Sequence, residues 1–143
     1  MLKTLTLPII ALCVPMAGAF AADAPSMKGT WLVKMEGNKI QLNAGPAPHN
    51  VDLAAPKTGK FAIDITVTID KEDGYAFSGK KASARASETI AGVVDYDNAH
   101  LSMVEGDGTT RCTVQSPDRL VCTYFEINPA NSIAGRQIWT RKK

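Results

Sequence analysis

Large apolar residues occupy every odd position from Phe61 to Ile69, and the even positions from Ala62 to Asp70 are small or polar. A period of two sustained over that length predicts a β-strand with one buried face. Lys71-Glu72-Asp73-Gly74 supplies turn chemistry, and Tyr75 to Ala82 reads as the returning strand of a hairpin.

The same grammar recurs downstream. Thr89 to Tyr96 leads through Asp97-Asn98 into His100 to Glu105, and Gly106-Asp107-Gly108 leads into Thr109 to Gln115. Pro117-Asp118 turns into Leu120 to Ile127, and Ile133 to Arg141 closes the chain. Upstream, Thr30 to Glu36 and Lys39 to Asn43 flank Gly37-Asn38, which reads as a two-residue hairpin turn. About nine short strands and no amphipathic helix predict an all-β antiparallel domain, a barrel or a sandwich. Ala44 to Lys60 breaks the rhythm with Pro46, Pro48 and Pro56, and is expected to be a long loop. A loop of that length in a small domain is a candidate lid or contact surface.

The first residues follow a different logic. Lys3 precedes an apolar run from Leu5 to Val14, and Ala17-Gly18-Ala19-Phe20-Ala21-Ala22 follows. That is the order of a secretory signal peptide, with Ala19 and Ala21 placing the cut after Ala21. Pro8 and Pro15 interrupt the apolar run, which is shorter than the ~20 residues a membrane span needs. Cys13 lacks the setting of a lipidated cysteine, with Leu12 before it and Val14-Pro15-Met16 after it. The expected organisation is a signal peptide at 1–21 and one domain at 22–143, localised to the periplasm or secreted.

The formal net charge of the whole chain is +2, and losing Lys3 lowers it by one. Such a balance gives no electrostatic case for nucleic acid or an anionic membrane. Lys80-Lys81, Arg85 and Arg141-Lys142-Lys143 are small basic groups, read as solvated strand ends that blunt sheet edges.

With the signal removed, Cys112 and Cys122 are left as an even pair around Ser116-Pro117-Asp118. In an oxidising compartment they are expected to bridge the hairpin, set opposite each other by a loop of three or five residues. No Cys-x-x-Cys pair suggests redox catalysis.

Catalytic and metal chemistry find little support. The chain holds two histidines, His49 and His100, and no zinc spacing or phosphate loop. Asp70, Glu72 and Asp73, Asp95 and Asp97, and Glu105 and Asp107 cluster in expected turns, where carboxylates bond locally without a ligand. No catalytic residue, metal or cofactor is expected.

Gly29-Thr30-Trp31 at the start of the first strand and Arg141 at the end of the last are similar to the calycin pattern of lipocalins and avidin-like proteins. Gly74-Tyr75-Ala76-Phe77-Ser78-Gly79 resembles an avidin hairpin. The resemblance implies a small meander barrel of about eight to nine strands, closed at one end by Trp31 packed against Arg141. A guanidinium covering an indole face is sound chemistry in any fold. With two tryptophans, Trp31 and Trp139, the chain departs from the tryptophan-rich biotin site of avidins.

The function expected is a non-catalytic exported barrel that binds a small ligand or a protein partner in the cell envelope. The alternatives are a periplasmic inhibitor of an enzyme such as a lysozyme or protease, with Ala44 to Lys60 or Asn128-Pro129-Ala130-Asn131 as its contact, and an enzyme of unrecognised type.

Overall fold

Eight strands follow one another round a closed antiparallel barrel in chain order, and β1 pairs with β8 to complete it. The computed structural model describes residues 24–41, 57–128 and 131–143, so the expected signal peptide at 1–21, Cys13 within it, and His49 lie outside the described residues. The strands are β1 (Gly29–Gln41), β2 (Lys57–Asp73), β3 (Ala76–Ser83), β4 (Ser87–Val94), β5 (His100–Val104), β6 (Gly108–Ser116), β7 (Arg119–Ile127) and β8 (Asn131–Arg141). No helix occurs among the described residues.

Alternation drives the closure. Ile65, Val67 and Ile69 of β2 point inward and are buried, as are Trp31, Val33 and Met35 of the neighbouring β1. Each such aliphatic side chain contributes roughly 1.5–3 kcal/mol on full burial, the main force holding the meander shut. Closing the sheet also leaves no open edge between β1 and β8. Trp31 and Trp139 meet edge to face within this core, their ring centroids 6.3 Å apart.

The expected hairpin at Gly37-Asn38 is corrected: β1 runs straight through both residues, pairing with β2 on one side and β8 on the other. Gly37 is needed for space, since a Cβ there would lie 2.3 Å from the Ala134 carbonyl oxygen and 2.8 Å from the Gly135 Cα. Two expected strands are therefore one, and the count is eight. The expected loop at Ala44 to Lys60 is corrected in part. Lys57 to Lys60 belong to β2, opposite Asn38 to Gln41. The remainder, 44–56, lies outside the described residues.

Cys112 and Cys122 form a disulfide, directly opposite each other on β6 and β7. The expected odd loop is replaced by a two-residue turn, Pro117-Asp118, between the paired Ser116 and Arg119, with a bulge between Val114 and Ser116 restoring the odd spacing. Both cysteines face the core and are buried. A thiol in bulk solvent has no path to that bridge while the barrel is folded.

Candidate functional site

The two ends of the barrel are built differently. At one end the chain entering β1 acts as a plug, with Met27 almost fully buried. The Met27 amide donates to Glu72 Oε1 at 2.7 Å, and the Ser26 hydroxyl donates to Glu72 Oε2 at 2.8 Å. Trp31 Nε1 donates to the Met27 carbonyl at 2.9 Å. Arg141 covers the Trp31 ring, its guanidinium carbon 4.1 Å from the centroid. It also donates to the carbonyls of Ser26, Lys28 and Pro117 at 2.6–3.1 Å, with Asp118 Oδ1 3.2 Å from its Nε. One side chain thus ties β8, the plug and the β6–β7 turn together.

His100 also sits towards this end. Its Nδ1 lies 2.6 Å from Asp97 Oδ2, and both side chains are about half exposed. The hydrogen bond from His100 holds the Asp97 carboxyl below its ordinary value, followed by the Ala99 amide. Asp97 Oδ1 accepts from the Ala99 and His100 amides, so the pair stands in a turn built on local bonds.

The opposite end is a cup. A cavity of about 560 Å³ opens there, lined by Met35, Phe61, Ile63, Ile65 and Ile133 and by Lys81, Glu88, Asp107, Tyr124 and Glu126, with Lys39, Asp64 and Arg85 also on its lining. Below it the core side chains are buried, and the space beside Lys81, Glu105, Thr110 and Gln137 is only about 10 Å³. The cup is thus a mouth on a packed core and not a channel through the barrel.

Its polar wall is a connected network. The Lys81 ammonium pairs with Glu105, lies 3.3 Å from Glu88 Oε1, and sits 4.6 Å from the centroid of the Tyr124 ring. Tyr124 Oη donates to Glu126 Oε2 at 3.0 Å, and the Asn128 amide donates to Glu126 Oε1. Gly108 fixes the Tyr124 ring, whose Cε2 and Oη each lie 2.5 Å from where a Cβ would be. The Glu105 side chain is 3 % exposed and that of Lys81 14 %.

Burial sets the protonation tendencies here. It pushes the Glu105 carboxyl up to about 7, against the opposing effect of Lys81, with Glu88 raising it further. Burial also raises Glu126, and the charges of Asp107 and Glu88 add to that. Tyr124 is raised by burial and then by the charges of Glu105 and Glu126. Neighbouring carboxylates thus add to the effect of burial at Glu105 and Glu126.

Of the residues singled out from sequence, Trp31 and Arg141 come together at the plugged end, and Cys112 and Cys122 within the core. Sequence reasoning missed the mouth. Glu105 and Asp107 read as turn chemistry and Lys81 as a solvated strand end, but Glu105 and Lys81 point into the barrel. A signal was available: Lys81, Glu88, Glu105 and Glu126 each share inward parity with buried neighbours, Gly79, Ile90, Met103 and Tyr124 respectively.

Two further depressions lie along the outer wall. One of about 580 Å³ spans β2 to β5 beside Ala91, Val93 and Val104, and one of about 750 Å³ spans β2, β1, β8 and β7 beside Lys34, Glu36 and Ile138. The first reaches Glu72, already bonded to the plug, and the second reaches the buried Gln137. Among the described residues no group of three or more His, Cys, Asp or Glu is placed to hold a metal ion.

No protein-family model matches the chain, and no curated protein matches it. Among solved structures it is similar to a redesigned β-barrel, at 12% identity and a TM-score of 0.47, over 81% of this chain and 91% of that one.

Proposed function

We propose that this chain is an exported, non-catalytic barrel of calycin-like type that holds a small ligand in the cup at its mouth. The observation that carries the reading is the cavity of about 560 Å³ standing on a filled core, with a charged, hydrogen-bonded floor built from inward-facing side chains. Small-molecule sites combine an apolar lining with a few placed polar groups, and this cup has both. Export is supported by the order of the N-terminal segment and by the disulfide between Cys112 and Cys122.

The test is to produce the chain with its leader in a Gram-negative host and examine periplasmic material by native mass spectrometry. The expected species begins at Ala22, is oxidised, and carries a small-molecule adduct that the cup-filling variant Ile63→Trp lacks. A chain retained unprocessed in the cytoplasm would remove the export reading. An adduct-free protein, or one whose adduct survives in Ile63→Trp, would remove the cup reading.

A protein partner is the second reading, and one surface favours it. Phe125 and Ile127 on β7 and Ile40 on β1 are exposed on the outer rim of the mouth. Undiminished lysozyme and protease activity in the presence of excess protein would remove the inhibitor form of that reading.

A further inference from the structure

The cup has two unlike walls. The arc formed by β8, β1 and β2 presents Ile133, Met35, Phe61 and Ile63, and Ile63 faces inward yet remains 38% exposed. The arc from β3 to β7 presents Glu88, Asp107, Tyr124 and Glu126 around Lys81. In a barrel whose strands run in chain order these arcs face each other across the mouth.

The floor already holds an ammonium group. Lys81 lies over the face of Tyr124 and between Glu88 and Glu105, the surroundings an organic cation selects: an aromatic face and carboxylates away from bulk water. Lys81 is matched by Glu105, which lies below it and away from the cup. Glu126 accepts from the neutral donors Tyr124 and Asn128, and among the described residues no cation is paired with it, the Lys81 charge acting on it only from its own place beside Glu105 and Glu88. Lys39, Arg85 and Asp107 are exposed, where water and salt screen them most strongly, which leaves the half-buried Glu126 and Glu88 as the less screened charges of the cup.

We propose that the cup selects a small organic cation, a protonated amine on an apolar body, with the ammonium group against Glu126, Asp107 and Glu88 and the body on Phe61, Ile63 and Ile133. This rests on the cup being a ligand site. The upward push that burial and then the charges of Asp107 and Glu88 exert on Glu126 agrees with it, since a bound cation would oppose that repulsion.

Three probes of one shape decide the matter: phenethylamine, 2-phenylethanol and 3-phenylpropionate, titrated calorimetrically into the oxidised protein at pH 7.5 and low salt. The amine is expected to bind at one site at least tenfold more tightly than the alcohol, with no binding of the carboxylate. Glu126→Gln is expected to weaken the amine tenfold or more, and Ile63→Trp to abolish binding. Ile133→Trp replaces Ile63→Trp if the latter does not fold. Alcohol or carboxylate binding as tightly as the amine, and lost in the cup-filling variant, would overturn the ligand class and leave the cup standing. Amine binding unchanged by Ile63→Trp, or no binding by any probe, would also overturn the ligand class. The cup itself is then judged by the adduct on periplasmic protein.

Discussion

The Lys81 ammonium lies over the ring of Tyr124, 4.6 Å from its centroid, and the two side chains form the floor on which the mouth of the barrel rests. Above them is a cavity, and below them the core is filled. A buried cation needs compensation, and Glu105 and Glu88 supply it from two other strands or their ends. The floor is therefore held by contacts distant in sequence and should respond to pH as a unit.

Glu105 and Glu126 both have carboxyl groups raised above their ordinary values, Glu105 from 4.5 to about 7. The folded state then binds more protons than the unfolded state between those limits. Stability contributed by this difference is present below the unfolded value and is lost as pH rises towards 7. Thermal melts from pH 5 to pH 8 should show a falling midpoint for the native protein and a shallower fall for Glu105→Gln. The lowered Asp97 acts in the acid range below this window, where its stabilisation is lost as pH falls. A midpoint that rises from pH 5 to pH 8, equally in both proteins, would contradict the assignment.

At the plugged end, Arg141→Ala removes the stack on Trp31 and the bonds to three carbonyls. A cost of about 2–4 kcal/mol is expected in urea denaturation, from charged hydrogen bonds and the ring contact together. Arg141→Lys should recover little, because one compact ammonium cannot serve carbonyls on separate segments while covering an indole. A lysine variant as stable as the native protein would show that charge alone is enough.

Gly37 of β1 and Gly59 of the neighbouring β2 should behave oppositely. Gly37→Ala forces a Cβ against the backbone of β8 and should cost about 2–3 kcal/mol or more, as overpacking does. Gly59→Ala meets nothing within 4 Å and should leave stability unchanged or raise it by roughly 0.4–1 kcal/mol. Equal effects at the two positions would contradict the straight course of β1 through Gly37.

The Cys112–Cys122 bridge closes a short loop, so replacing both cysteines by alanine should cost about 2–3 kcal/mol. Because both sulfur atoms are buried, dithiothreitol should reduce the native protein only as fast as it unfolds. Alkylation trapping over a urea series measures this. Rapid reduction in the absence of urea would place the bridge at the surface.

The strands were legible because one-sided burial leaves a period of two, which survives in β2 from Phe61 to Ile69. Gly37-Asn38 misled for a physical reason: a glycine needed for close backbone approach to Gly135 looks the same in sequence as one needed for a turn. The opposition of the cysteines was legible in their spacing, but the bulge that produces it was not. The mouth was hidden because Lys81 of β3, Glu105 just past β5, and Tyr124 and Glu126 of β7 meet only when the sheet closes in its register. Charges on the inward parity of several strands, all at one end of the barrel, were the trace they left.

The most direct test of the cup is a ¹H–¹⁵N NMR titration of the mature protein with a library of small molecules of mixed charge. Binding in the cup predicts shifts gathered at Ser83, Gly108, Asp107 and Ile133, while the Trp31 indole, bonded to Met27 at the plugged end, stays still. Shifts that gather instead at Ala91, Val93 and Val104 on the outer wall, or a mouth that answers to no member of the library, would contradict it.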